Sequence, residues 1–154
     1  MRSFIAGLVL LLACAPAQAQ APKQKGDDAG LRKLIAEGLD ALPNLPCANR
    51  RPCAPATAQE RARPPLTMAE ARRIVDRGVI SGAAEHCGLD WRDRNLAPLV
   101  RHLRDTLRKS DRAMALAAYL HGTMQDQTRN AFAQAGPCSE QAKRSLDARL
   151  TYRP

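Results

Sequence analysis

The chain has 154 residues, a formal net charge of +9 and five cysteines, and aromatic residues make up only 3% of it. A chain of this length usually forms one domain, and the prevalence of alanine and leucine over aromatic residues favours packed helices over a sheet. The positive charge indicates attraction to anionic partners. Nucleic acid is not expected to be the target, because single strands are bound by base stacking on aromatic side chains, which are scarce here.

Residues 1–19 have the layout of a secretory signal peptide. Arg2 supplies a positive charge, residues 4–13 form an apolar run, and residues 17–19 end in the small residues that precede a cleavage site. We therefore expect cleavage before Gln20 and a periplasmic or secreted mature protein of net charge +8, since Arg2 is the one charge removed. The apolar run is shorter than the roughly 20 residues that span a bilayer, so we expect no transmembrane helix in the mature chain.

An alternative interpretation of the same segment is a bacterial lipobox. Residues 11–14 read Leu-Leu-Ala-Cys, in which Cys14 would become the lipidated first residue of an outer-membrane lipoprotein. Leucine fits poorly just before the alanine, and a signal that ends at residue 13 is unusually short. The sequence therefore favours cleavage before Gln20, which removes Cys14 together with the signal.

The mature chain would keep four cysteines, Cys47, Cys53, Cys87 and Cys138. An even number in an exported chain indicates two disulfides, for which three connectivities exist. We expect Cys47–Cys53, which closes a short loop, and Cys87–Cys138, which joins two predicted helix ends. In the chain-entropy model the long loop contributes about 4 kcal/mol and the short loop about 2 kcal/mol.

Residues 20–66 are expected to form a mobile leader, a short helix and a proline-rich linker. Asp28 is the predicted cap of a helix over residues 29–42, whose leucine and isoleucine side chains recur at helical spacing. Residues 43–65 contain six prolines, a density that predicts no regular element. This Pro/Arg-rich arm also carries positive charge at Arg50, Arg51, Arg61 and Arg63.

Residues 67–154 are expected to form a helical domain. Thr67 and Glu70 have the spacing of a capping box, which begins a helix that runs to about Cys87. Gly78 and Gly82 lie one turn apart and should let another helix approach closely. The inward face of this helix is predicted to comprise Ala71, Ile74, Val75, Gly78, Val79 and Gly82.

Three more helices are predicted after Trp91, which we expect to fold back onto the core. One starts near Asn95, because Pro98 is tolerated in a first turn. The next runs from Ser110 to Ala135 and should be the most buried, and the last starts near Ser139. Their predicted inward side chains are Leu96, Leu99, Val100, Leu103, Leu107, Leu116, Ala117, Ala118, Leu120, Met124, Phe132, Ala142, Leu146 and Leu150. The predicted fold is all-α, a small disulfide-linked bundle of four to five helices with a Pro/Arg-rich N-terminal arm.

A basic stripe is the strongest candidate for a binding surface. Arginines recur at helical spacing on one side of the predicted helix that starts near Asn95 and away from its leucines, and the last helix adds further positive charge. The predicted anion-binding surface is Arg101, Arg104, Arg108, Arg112, Lys143 and Arg144. The competing interpretation is a solvated helix face, which is what charge runs on helices usually are.

His121 lies in the middle of the apolar face of the predicted central helix. Met114 stands two turns before it and Met124 three residues after it, and imidazole with thioether ligands suits copper(I). The interpretation that we favour is a core histidine hydrogen-bonded to a backbone carbonyl, with the methionines as packing residues. We therefore expect no metal and no cofactor.

No catalytic motif is present, since G-x-S-x-G, S-x-x-K and H-E-x-x-H are all missing. The sequence predicts an exported, non-catalytic interaction protein that docks an anionic protein, a cell-wall polymer or lipid head groups, and it leaves homodimerisation open. One alternative is an acid-activated holdase, because an exported helical chain with one bridge across about fifty residues resembles the small periplasmic acid-stress chaperones in architecture. The other alternative is a copper carrier centred on His121.

Overall fold

The computed structural model describes residues 25–154, and within that range it contains six α-helices and no β-strand. The helices are α1 (Lys25–Ala41), α2 (Ala58–Ala62), α3 (Met68–His86), α4 (Ala97–Arg101), α5 (Asp111–Ala135) and α6 (Glu140–Leu150). The prediction of an all-α bundle is confirmed. The predicted signal peptide, its cleavage site before Gln20 and the alternative lipidation at Cys14 lie outside the described residues.

Both predicted disulfides are confirmed. Cys47 and Cys53 are joined with their Cα atoms 5.0 Å apart, and Cys87 and Cys138 are joined with their Cα atoms 5.2 Å apart. The first bond closes a small ring before α2. The second bond holds the end of α3 beside the start of α6.

The two longest helices, α3 and α5, pack against each other and form the centre of the bundle. They run in the same direction, because Gly78 of α3 faces His121 of α5, and Gly82 faces Gln125 one turn further along both helices. A Cβ atom on Gly78 would lie 2.6 Å from the His121 carbonyl oxygen, and one on Gly82 would collide with the Gln125 carbonyl oxygen. The predicted close approach at the two glycines is therefore confirmed.

Side-chain caps begin the helices of the bundle where the sequence predicts them. The Thr67 backbone N–H donates to Glu70 Oε2 at 2.9 Å, and the Thr67 hydroxyl accepts from the Glu70 N–H at 3.2 Å. Ser110 and Ser139 accept backbone N–H groups of the first turns of α5 and α6. Gly136, with φ at +109°, ends α5 in a conformation that favours glycine.

The stretch around Pro98 is not the regular helix that the sequence predicts from Asn95. The short helix α4 is flanked by two π-helical segments, Arg92–Leu96 and His102–Thr106. Pro98 has no N–H to donate to the carbonyl of Arg94, four residues earlier. That carbonyl instead accepts the backbone N–H of Tyr152 at 2.9 Å. The proline thus leaves an acceptor free, and this acceptor holds the segment after α6 in place.

The proline-rich stretch 43–65 contains a helix, which corrects the prediction of no regular element there. Residues 56–63 contain no proline, and Thr57 begins α2 with a capping box. The Thr57 N–H donates to Glu60 Oε2 at 2.9 Å, and the Glu60 N–H donates to the Thr57 hydroxyl at 3.1 Å. These two hydrogen bonds stabilise the first turn of α2, although prolines precede and follow the helix in sequence.

The N-terminal part of the structure packs into the same core as the rest. Helix α1 begins at Lys25, earlier than predicted, so Asp28 lies inside the helix and pairs with Arg72 of α3 instead of capping α1. The buried N-terminal side chains join one hydrophobic cluster with those of α3, α4 and α5: Leu31, Ile35, Leu39, Leu42, Cys53 and Leu66. Periodicity predicted the apolar face of α1 correctly, but it did not indicate which helices cover that face.

Several side chains predicted to point inward are at the surface. The large ones are between 36% and 39% exposed, namely Val79, Val100, Leu107 and Phe132, and Ala118 is exposed as well. On α5 the last buried residue is Gln125, and Phe132 contacts α3 on one side only, with its ring centroid 6.0 Å from that of His86. On α3 the buried face includes Ser81, Ala83 and Ala84, because α6 and the first π-helical segment also pack on this helix. Because α6 and this segment cover a different side of α3 from the one predicted, Val79 stays outside the buried face.

Candidate functional site: an arginine stripe beside an apolar groove

Three of the predicted anion-binding residues, Arg101, Arg104 and Arg108, are exposed and follow one another along the stretch from α4 to the loop before α5. None of the three forms an ion pair with a carboxylate among the described residues. Arg101 ends α4, Arg104 lies in the second π-helical segment, and Arg108, with φ at +52°, lies in the loop that follows. We call these three residues the arginine stripe.

Arg112 has a different role from the arginine stripe. Its Nε donates to Glu60 Oε1 at 2.6 Å and its Nη2 donates to Glu60 Oε2 at 2.8 Å, while Nη1 donates to the carbonyl of Ala54 at 2.8 Å. The hydrogen bonds from Arg112, and next those from the Thr57 backbone, lower the pKa of Glu60 to about 2. The Arg112 charge is thus neutralised in a contact that holds α2 against α5.

The other two predicted anion-binding residues, Lys143 and Arg144, lie on α6, which packs against α3. Lys143 Nζ is 3.0 Å from Glu140 Oε1 one turn before it, and Arg144 is exposed. Asp105 lies four residues from both Arg101 and Lys109, but among the described residues it pairs with neither. Lys109 pairs with Glu70 at 2.7 Å and thereby ties the loop before α5 to the start of α3.

An apolar groove of about 330 Å³ lies next to the arginine stripe, between residues 45–47, the α4 region and α5. Its deep wall is formed by buried leucine and alanine side chains, and Val100 and Ala118 are exposed at its opening. Among the described residues that line the groove, three have ionisable side chains: Arg104, Asp111 and His121. The apolar lining residues are Leu45, Pro46, Leu96, Leu99, Val100, Leu103, Met114, Ala115, Ala117 and Ala118.

The floor of the apolar groove is His121, which belongs to a buried polar network. Its Nε2 is 3.0 Å from the Ser81 hydroxyl, and the same hydroxyl accepts from Asn95 Nδ2 at 2.7 Å. A hydroxyl has one proton and two lone pairs, so Ser81 accepts from Asn95 and still pairs with Nε2, as acceptor or donor according to the imidazole tautomer. Burial, and then the nearby Arg77 guanidinium, lower the pKa of His121 to about 4. The Trp91 ring stacks on the imidazole with the ring centroids 6.5 Å apart.

The candidate copper ligands do not converge. Met114 lines the apolar groove together with His121, whereas Met124 lies against Gly78 and lines a different cavity between α1, α3 and α5. The His121 Nε2 is already hydrogen-bonded to Ser81. Among the residues that the structure describes, no group of three or more histidine, cysteine, aspartate or glutamate side chains is arranged to hold a metal ion.

Sequence reasoning missed the network around Asn95, a residue that is completely buried. The Arg77 Nε donates to Asn95 Oδ1, and the Arg77 Nη1 donates to the Arg149 carbonyl at 3.2 Å. The Arg77 guanidinium also lies 5.5 Å from the centre of the Tyr152 ring. Ser81 and His121 are within hydrogen-bonding distance, and the Ser81 side chain is fully buried among the described residues. The network therefore joins α3, the first π-helical segment and the C-terminus.

No helix in the described range is long and apolar enough to cross a bilayer. The chain matches no protein-family model, and no curated protein or solved structure is significantly similar to it.

Proposed function

We propose that this protein is an exported, non-catalytic binding protein that docks an anionic partner through the arginine stripe. The observation that carries the proposal is the contrast between Arg112, which is neutralised by Glu60, and the three arginines of the stripe, which remain exposed without a carboxylate partner among the described residues. Exposed cations that no internal acid neutralises attract an external anion, and they do so more strongly when they are adjacent.

The net charge of +9 and the two disulfides support this proposal. Disulfides persist in oxidising compartments, which agrees with the export expected from residues 1–19. In such a compartment the available anions include lipid head groups, acidic proteins and cell-wall polymers.

The test removes the arginine stripe and compares it with an equal loss of charge elsewhere. The variant R101Q/R104Q/R108Q and the control R32Q/R73Q/R153Q each lose three exposed arginines. Binding to polyglutamate, and to phosphatidylcholine vesicles with and without phosphatidylglycerol, is measured over a series of salt concentrations. We expect the stripe variant to lose at least about ten-fold in affinity for an anionic probe, while the control loses much less.

Two results would overturn the proposal. The first is equal loss in both variants, which would mean that net charge alone is responsible. The second is the absence of salt-sensitive binding to either anionic probe, because contacts between exposed charges weaken as salt screens them. The two probes also distinguish an acidic polymer from an anionic lipid surface.

An acid-activated holdase is the second candidate function, and buried His121 is the observation that favours it. Protonation of a ring packed between Ser81 and Trp91 places a charge in the core. Acid also neutralises Glu60 and Glu70, whose carboxylates hold Arg112 and Lys109. Aggregation of an acid-unfolded client at about pH 3 should be suppressed if this candidate is correct. Unchanged client aggregation would exclude it.

A further inference from the structure

We infer that the apolar groove binds the alkyl chain of a free, single-chain carboxylate, a molecule of the fatty-acid class, with Arg104 holding the carboxylate. The inference rests on the proposed function and deepens it by naming the chemical class of the anion.

The lining of the groove suits a saturated chain. Its apolar residues are all aliphatic, apart from the Cys47 sulfur and the Met114 thioether, and the described part of the chain places no phenylalanine, tyrosine or tryptophan in the lining to stack on a flat ring. A methylene group takes about the volume of a water molecule, roughly 30 Å³. The 330 Å³ of the groove therefore accommodates a chain of about ten carbons.

The charges at the groove suit a single anionic head group. Among the described lining residues Arg104 is the one cationic side chain at neutral pH, and Arg101 and Arg108 precede and follow it in the arginine stripe. His121 is neutral at pH 7 because its pKa is about 4, so the floor carries no charge. Asp111 also lines the groove and repels an anion, so removing its charge provides a second test of the same interaction.

One wall of the groove is held in place covalently. Residues 45–47 contribute this wall, and its last residue, Cys47, is bonded to Cys53 by the disulfide that closes the small ring. The Cys53 N–H donates to the Leu45 carbonyl at 2.9 Å, and inside the ring the Cys47 N–H donates to the Arg51 carbonyl at 2.7 Å. A wall that is already ordered binds a ligand without paying further conformational entropy.

Trp91 provides the readout, since it is the only tryptophan in the chain and stacks on the His121 ring at the groove floor. The full chain is titrated with dodecanoate, dodecanol and butanoate below their aggregation concentrations. We expect saturable one-to-one binding of dodecanoate. Dodecanol should bind about ten-fold more weakly because it lacks the charge, and butanoate should not bind because it lacks the chain.

Variants separate the groove from the arginine stripe as a whole. Ala118→Phe fills the opening from an exposed helical position and should reduce dodecanoate affinity at least about ten-fold. The same variant should leave polyglutamate binding unchanged. Arg104→Gln should weaken dodecanoate binding about ten-fold, Asp111→Asn should strengthen it, and the control Arg73→Gln should not change it.

The inference is overturned if dodecanol binds as tightly as dodecanoate, if Ala118→Phe has no effect, or if dodecanoate does not bind. Loss of polyglutamate and vesicle binding in the stripe variant together with full dodecanoate binding in Arg104→Gln would sustain the proposed function and reject the groove. Dodecanoate binding that requires Arg104 and an open groove, without any stripe-dependent binding of anionic probes, would reject the docking surface and leave the groove as the binding site.

Discussion

His121 is uncharged at neutral pH because its ring is enclosed in the bundle and hydrogen-bonded to Ser81. The sequence indicated a core histidine from its place on the apolar face of α5, which the structure confirms, since the residue is only 4% exposed. The expected partner was a backbone carbonyl, and this was wrong. Ser81 and Asn95 come from α3 and the first π-helical segment, so periodicity along α5 alone carried no information about them.

Acidification should destabilise the fold through His121 before it does so through the carboxylates. The pKa of this ring is about 4 in the folded protein and about 6.5 in the unfolded chain, so the unfolded state binds the proton first as the pH falls. The stability is fully present above pH 6.5 and is lost progressively down to pH 4, with roughly 2 kcal/mol lost between pH 7 and pH 5. Urea unfolding of the wild type and of His121→Gln over this range measures it. Identical pH dependence in the two proteins would contradict the assignment.

Two glycines offer a matched pair of substitutions with opposite expected signs. Gly82→Ala should destabilise the protein by about 2 kcal/mol, because the new Cβ would meet the backbone of α5 at Gln125. A Cβ atom added at Gly122 of α5 would meet no heavy atom of a neighbouring described residue within 4 Å. Gly122→Ala should therefore stabilise the helix by about 0.5–1 kcal/mol. Denaturant unfolding of both variants checks the pair. Stabilisation by Gly82→Ala would show that α3 and α5 are not in close contact there.

At the scale of elements, the helix boundaries that depend on local chemistry were predictable and those that depend on distant partners were not. The caps at Thr67, Ser110 and Ser139 follow from neighbours three residues away, and all three form. The π-helical segments around Pro98 were missed, because the carbonyl that the proline frees is used by Tyr152 near the other end of the domain. Helix α2 was missed because the prediction rested on the number of prolines in residues 43–65. The capping box at Thr57 lies within a part of that stretch that contains no proline.

The contact between α2 and α5 should depend on the planar, forked guanidinium of Arg112. Lysine keeps the positive charge but cannot hydrogen-bond both Glu60 oxygens and the Ala54 carbonyl at once. We expect Arg112→Lys to cost about 1–2 kcal/mol. Arg108→Gln, an exposed member of the same predicted stripe, should stay within about 0.5 kcal/mol of the wild type. Equal effects on the urea midpoint would mean that Arg112 is merely another surface charge.

At the scale of the whole molecule, one core unites residues that the sequence divided between an arm and a helical domain. Leu31, Ile35 and Leu39 of α1 are buried in the same cluster as Leu116 and Leu120 of α5. The sequence predicted the fold class, both disulfides and most helices, because these follow from composition and short-range patterns. It predicted a basic surface as well, but it did not predict the apolar groove, since three separate parts of the chain form that feature.

The two disulfides should differ in their contribution to global stability. Cys87 and Cys138 are 51 residues apart in sequence and Cys47 and Cys53 only 6, so the longer loop restricts the unfolded chain more. We expect Cys87→Ala/Cys138→Ala to cost about 4 kcal/mol and Cys47→Ala/Cys53→Ala about 2 kcal/mol. Urea denaturation under oxidising conditions compares the two. A larger loss from the short ring would show that the native packing of that ring, and not chain entropy, dominates.

The parallel arrangement of α3 and α5 has a consequence for how fast the chain reaches its native state. In an up-and-down bundle each helix packs against the next one after a short turn. Here α3 and α5 are parallel, so the α4 region between them must run back along the length of α3 before Gly78 can contact His121. Such pairing raises the mean sequence separation of native contacts, and folding slows as that separation grows. Stopped-flow refolding should therefore be slower for this protein than for an antiparallel bundle of similar length and stability.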